Sequence, residues 1–196
     1  MITVLAGVNG AGKSSIAGAQ IRNKGGEYFN PDECSRQLML RDSSISTDEA
    51  NGQAWNIGRQ QLERAISGNK DYIFETTLGG NSIAGLLHKA IDEGVGVRIF
   101  FCGLNSPELH IERVAARVSK GGHDIPEQKI RERWVGSIKN MENLIPRCEA
   151  VQVYDNSEPL GESGPNIKLL FSVKKGKIVS NPVSPIPKWC NGLMTP

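Results

Sequence analysis

The sequence predicts an α/β fold: a doubly wound, mostly parallel sheet with helices on both faces. Two observations carry this. Short apolar runs alternate with helical patterns as far as Asn156, and strands separated by helices need crossover connections, which make neighbouring strands parallel. The first such unit also passes from an apolar run through Gly7, Gly10 and Gly12 straight into Lys13-Ser14, the punctuation of a tight strand-to-helix loop.

In chain order, Ile2–Ala6 reads as a buried strand and Lys13–Arg22 as the helix after it. Glu27–Phe29 reads as a short second strand, and Asp32–Arg41 and Thr47–Ser67 as polar helices. Tyr72–Phe74, ending in Glu75, reads as a central strand. Asn81–Glu93 then sets Ile83, Leu86, Leu87 and Ala90 at helical spacing. Val95–Cys102 is the most hydrophobic strand. Pro107 opens a helix where its missing N–H costs nothing, and Pro126 opens another. Val151–Tyr154 reads as the last strand of the main sheet. Beyond it, Glu158–Pro165 is turn-rich, and Ile167–Val173 with Lys177–Val179 forms a small C-terminal β-hairpin. Asn181–Pro196 carries four of the ten prolines and reads as extended or disordered. The expected division is a main domain over 1–157, a hairpin extension over 158–180 and a Pro-rich tail over 181–196.

Composition narrows the class. The 196 residues suffice for one well-buried core. A net charge of +2 and 6% aromatic residues argue against a nucleic-acid partner. Cys34, Cys102, Cys148 and Cys190 lie too far apart for a CxxC metal pair and read as buried thiols in a reducing cytosol. With no leader and no membrane-length apolar run, a cytoplasmic protein without membrane attachment is expected.

Gly7-Val8-Asn9-Gly10-Ala11-Gly12-Lys13-Ser14 matches GxxxxGK[ST] between a strand and a helix, which makes the fold a P-loop NTPase. Residues Gly7 to Ser15 are expected to hold ATP. Backbone N–H groups cradle the phosphates, Lys13 reaches the β- and γ-phosphates, and the Ser14 hydroxyl meets Mg²⁺. Three later constellations bear on the γ-phosphate. Asp32, in Phe29-Asn30-Pro31-Asp32-Glu33, sits at the carboxyl edge of the sheet, placed either to accept a hydroxyl proton or to cap the following helix. Glu75 ends a strand and is placed to orient Mg²⁺ water or bind substrate hydroxyls, with Thr76 and Thr77 beside it. Finally, His110, Arg113 and Arg117 share the polar face of one helix. Arg133, Ser137 and Asn140 share that of the next, with Arg131 at its flank. The two helices, joined through Gly121-Gly122-His123, read either as a helical lid whose arginines neutralise charge on a transferring phosphoryl group or as a pair of solvated basic faces; the clustering of the arginines favours the lid.

These residues resemble the zeta-toxin-like P-loop kinases. The resemblance rests on GVNGAGKS, FNPDE, FETTLGG, RVAARVSKGGHDIP and IRERWVGSIKNM, and spans roughly residues 1–156. It implies an ATP- and Mg²⁺-dependent kinase acting on a hydroxyl of a small molecule, in the toxins UDP-N-acetylglucosamine. It also implies Asp32 as general base, Lys13 and Ser14 as phosphate and metal contacts, Glu75 on the substrate side, and Arg113 or Arg117 with Arg131 or Arg133 as the phosphate clamp. An antitoxin is the protein partner such a resemblance brings into view. This chain has His123 where the toxins carry an arginine shortly before the lid proline, and His123 is assigned with Thr76 and Thr77 to the substrate side. Tyr154–Ser157 follows the last strand, where related kinases hold adenine. Two other readings share the loop: a nucleotide switch or ATPase acting through a protein partner, and a nucleic-acid 5′-hydroxyl kinase. The first needs a water-positioning residue and the second a basic groove with stacking aromatics; neither stands out.

Overall fold

A computed structural model describes residues 1–14, 18–23, 25–159, 166–180 and 184–194. Six strands form one sheet: β1 (Ile2–Ala6), β2 (Tyr72–Thr76), β3 (Val97–Gly103), β4 (Ala150–Asp155), β5 (Lys168–Lys174) and β6 (Lys177–Ile178), in the spatial order β2-β1-β3-β4-β5-β6. The first four are parallel; β5 and β6 add on antiparallel. Between them run α1 (Ala19–Asn23), α2 (Pro31–Arg41), α3 (Thr47–Ser67), α4 (Asn81–Asp92), α5 (Pro107–Val118) and α6 (Glu127–Leu144). The expected P-loop NTPase fold is the observed one. β1 leaves the sheet between β2 and β3, the switch point where open α/β sheets bind ligands.

Local chemistry explains the helix starts. Asn30 caps α2 by accepting from the N–H groups of Asp32 and Glu33, and Ser46 with Glu49 makes a reciprocal capping box on α3. Ser106 caps α5, whose first residue is Pro107. One continuous core joins the sheet to α3, α4 and α6 through Ile2, Val4, Leu62, Phe74, Leu87, Phe101 and Met141. A smaller cluster of Val8, Val114 and Ile130 ties the first loop to α5 and α6.

Three expectations change. The strand over Glu27–Phe29 reduces to a single parallel bridge from Phe29 to Phe74. Pairing stops there because Asn30 turns the chain into α2 and Pro31 has no N–H to offer. The main sheet does not end at Tyr154: the hairpin pairs β5 along β4, with a bulge at Val153/Tyr154, and buries Leu170, Phe171 and Val173. The tail does not run free either. Lys188–Met194 forms a 3₁₀ helix that buries Trp189, Cys190 and Leu193, with the indole centroid 6.1 Å from that of Phe101. Its prolines suggested extension, while the apolar spacing of Trp189, Cys190 and Leu193 lets one short helix dock. Among the described residues no helix is long and apolar enough to cross a membrane. All four cysteines are free, and three of them are buried.

Candidate active site

The loop after β1 is held by its surroundings. Gly7, Gly10 and Gly12 have φ of +143°, +83° and +91°, values side-chain-bearing residues rarely take. At Gly7 a Cβ would also lie 2.2 Å from the carbonyl oxygen of Cys102, so β3 admits only glycine there. The carbonyls of the loop are tied back. Asn156 Nδ2 (2.9 Å) and the Cys102 thiol (3.0 Å) both donate to Ala11 O, and His110 Nδ1 donates to Asn9 O at 2.7 Å. A loop whose carbonyls are engaged by protein donors presents an electropositive backbone to a ligand. Ser15 lies outside the described residues.

Register brings the chemistry together. β1 and β2 pair with Leu5 opposite Glu75 and Ala6 opposite Thr76, so the carboxylate emerges beside the loop. Glu75 is buried. Its Oε2 accepts from Ser14 Oγ (2.8 Å) and Asn30 Nδ2 (3.2 Å), and its Oε1 lies 3.5 Å from Lys13 Nζ. The Asn30 amide thus caps α2 with its oxygen and holds Glu75 with its nitrogen. That residue was missed as a site residue, although an Asn-Pro pair before a helix is its signal. Because Asn30 is the cap, Asp32 is free of that duty. Its side chain is 61% exposed and 4.0 Å from Arg117 Nη1.

A cavity of about 620 Å³ opens between the loop, the ends of α2, α3 and β2, and the α5–α6 connection. Lys13, Asp32, Glu75, Thr76, Thr77, His123 and Arg133 all line it. Thr76 Oγ1 accepts from the N–H of Leu78 at 3.1 Å, and Thr77 Oγ1 from that of Gly79 at 3.5 Å. Both hydroxyls therefore shape the loop and keep their own protons to donate. Leu78, buried at φ +55°, is a strained position in that loop.

The arginines divide. Arg133 Nη1 donates to Asn9 Oδ1 at 2.8 Å, and burial draws its guanidinium below the ordinary value. Arg117 is absent from the cavity wall; it donates to His123 O at 2.8 Å and faces Asp32, which lines the wall. Arg113 reaches the Glu158 carbonyl at 3.0 Å, on the chain just past β4, and does not line the cavity. Arg131 pairs with Glu108 at 2.6 Å and is equally absent from the cavity wall. Two residues along a helix are about 200° around it, so Arg131 and Arg133 cannot share a target.

Three side chains expected on polar helix faces are buried: His110, Ser137 and Asn140. His110 is 1% exposed beneath the loop. Asn140 donates to the carbonyls of Leu78 (2.8 Å) and Gly80 (3.2 Å), pinning α6 to the β2–α4 loop. Burial, aided by Lys13 and Arg113, lowers the His110 pKa from 6.5 to about 4, against the opposing bond to Asn9. The unfolded chain therefore binds a proton in that window that the folded chain does not. Stability is complete above the ordinary histidine value and declines as pH falls towards the lowered one, by about 3 kcal/mol in all. Denaturant unfolding of His110→Asn is expected to show a flatter pH dependence between those values than the parent chain; identical slopes would remove His110 as the cause.

The donor set fits a triphosphate with Mg²⁺: an opened glycine loop, a buried Lys13, and hard oxygen donors on Ser14 and Glu75. Among the described residues no group of three or more His, Cys, Asp or Glu could hold a metal. A cation here would take its remaining ligands from phosphate and water, as Mg²⁺ commonly does.

A family model described as an AAA domain matches residues 2–138. An uncharacterized protein of Haemophilus influenzae is 27% identical over 128 residues, which cover 65% of this chain and 88% of that protein. Among solved structures, AvrRxo1-ORF1:-ORF2 with ATP is similar at TM-score 0.66 and 17% identity over 91% of this chain; the match spans 59% of that chain. The PezAT chromosomal toxin-antitoxin system of Streptococcus pneumoniae is similar at TM-score 0.57 and 17% identity, over 79% of this chain and 68% of that one. At these identities the structural likeness is one of fold, that of the P-loop NTPases. The family match is broader evidence, since it covers the loop, both carboxylates and most of α6: the chain belongs to the AAA domain family.

Proposed function

We propose that this chain is an ATP-dependent kinase that transfers the γ-phosphoryl group to a hydroxyl of a small molecule, within the zeta-toxin-like group. The observation that carries the proposal is Asp32: a solvent-accessible carboxylate, relieved of capping by Asn30, that shares one cavity with Lys13, Glu75 and Arg133. The residues around Gly7–Ser14 bind the triphosphate. Asp32 takes the proton of the acceptor hydroxyl as its oxygen bonds to the γ-phosphorus. The bond from that phosphorus to the β–γ bridging oxygen breaks, and ADP leaves with the electron pair. When bound, Mg²⁺ supplies neutralisation of phosphate charge, and Ser14 and Glu75 are the residues to hold it. Lys13 and Arg133 face the charge that develops, and Arg117 reaches it from beside Asp32. The fold likeness to the PezAT system and to the ATP complex of AvrRxo1-ORF1:-ORF2 supports this reading. Their protein assemblies support a protein partner as part of it. A sugar nucleotide such as UDP-N-acetylglucosamine is the first acceptor to try.

The test is transfer of labelled phosphate from ATP into a metabolite extract, with product identification. ATP turnover that no hydroxyl compound stimulates would sink the proposal. The clamp has its own expectation. Arg117→Ala and Arg133→Ala should each lower kcat by about 10²–10³-fold, the scale for one lost transition-state donor, with much smaller changes in ATP affinity. Equal losses in both quantities would make these arginines a plain binding surface.

A further inference from the structure

α3 turns two unlike faces outward and inward. Its buried stripe is Ala50, Ala54, Gly58 and Leu62. Trp55 lies off that stripe, 44% exposed, and forms part of the cavity wall. The half-exposed indole offers a flat apolar face to the cavity. The Arg59 guanidinium sits 5.8 Å from its ring centroid and is itself paired with Glu63 at 2.5 Å, so one face of the ring carries a cation–π contact and the other is open to a ligand. Asp48 and Asn51 line the same cavity. They stand seven and four residues before Trp55, so carboxylate, amide and indole occupy one side of two helical turns, about 10 Å long. Asn51 also meets the His123 ring at 3.3 Å, which places this stripe against the α5–α6 connection. Asp32 borders the same space from α2.

We propose that this stripe of α3 is the acceptor subsite: Trp55 takes the flat face of a ring, and Asp48 and Asn51 read a pair of neighbouring hydroxyls. The inference rests on the kinase reading above and names its substrate class. A few placed polar groups beside an aromatic wall are what orient a ligand in a pocket of this size. A carboxylate accepts two hydroxyl donors at once, and the amide beside it can donate or accept. The acceptor is therefore a molecule with a flat ring face and a vicinal diol, chemistry shared by pyranosides and ribonucleosides. An acyclic polyol offers the hydroxyls without the face and is a poor ligand.

The experiment titrates the full chain, without ATP, with methyl pyranosides of glucose, galactose and mannose, with the four ribonucleosides, and with sorbitol. Indole fluorescence and calorimetry are the readouts. At least one ring compound is expected to bind. Its affinity should fall at least about tenfold in Trp55→Ala, the scale of a lost stacking contact, survive in Trp55→Phe, and weaken in Asp48→Ala. The pyranoside and nucleoside arms separate the two sources. Absence of binding by every ring compound overturns the subsite, as does unchanged affinity in Trp55→Ala or equal binding of sorbitol. Ring binding through Trp55 with no phosphoryl transfer to the bound compound would leave the subsite standing and remove the kinase reading. Transfer with an acceptor KM unaffected by Trp55→Ala would do the reverse.

Discussion

Asp32→Asn is expected to slow phosphoryl transfer by about 10²–10⁴-fold, the usual contribution of a positioned general base, with nucleotide affinity nearly unchanged. The substitution isolates proton transfer because the backbone does not depend on this side chain. Asn30 caps α2, accepting from the N–H groups of Asp32 and Glu33, so the amide in place of the carboxylate leaves the helix start intact. The ion pair that is lost is weak: Arg117 is 4.0 Å away and the carboxylate is 61% exposed, conditions under which an ion pair adds little to stability. Lys13 and Glu75 form their own buried pair, with Ser14 bonded to Glu75, and should bind the triphosphate as before. Steady-state transfer from labelled ATP and a separate nucleotide titration check both halves. Transfer retained within tenfold removes Asp32 as the base; a matching loss of nucleotide affinity would make it a binding residue instead.

Gly136→Ala is expected to lower both stability and activity by displacing α6. A Cβ at Gly136 would lie 2.2 Å from the Gly79 carbonyl oxygen. That neighbour is backbone, in a loop already holding Leu78 at φ +55° and already pinned by Asn140, so it cannot swing aside as a flexible side chain would. The helix must back away from the loop. Overpacking of this kind costs about 1–3 kcal/mol, against which alanine returns up to about 1 kcal/mol of helix propensity. For a chain of this size the net corresponds to a fall in melting temperature of a few degrees, roughly 2–4 °C per kcal/mol. The larger effect is on activity, because the same movement carries Arg133 away from Asn9 and the cavity. A variant with wild-type melting temperature and wild-type kcat would show that the loop yields freely.

What was legible in the sequence was what neighbouring residues decide among themselves. The glycine loop announced itself because its φ values need glycine wherever the chain folds. The bounds of α3 followed from polar patterning that ends at Ser67, and a capping box at Ser46 and Glu49 fixes its start. Glu75 was findable because a strand that ends in a carboxylate presents it at the sheet edge. Contacts between distant segments were not legible. His110 and Asn140 sit at polar positions of amphipathic helices, and only the packing of α5 on the loop and of α6 on Leu78–Gly80 buries them. Helical phase already set Arg131 to the flank of Arg133 in the sequence, but its pairing with Glu108 was not legible. The tail was misjudged because proline content speaks for the chain alone, whereas Trp189 answers to a surface supplied by β3.

That docking of Trp189 sets an order on synthesis. Phe101 leaves the ribosome long before Trp189 does, and at about 5–20 residues per second the interval is several seconds. Throughout it, the nascent sheet carries an uncovered apolar face beside Phe101. Within that interval β4 stands as an open parallel edge for a shorter time, about 1–4 s, until β5 has been made and can pair with it. A chain that stops before Lys168 would keep both surfaces bare, which marks it for chaperones and proteases rather than for accumulation.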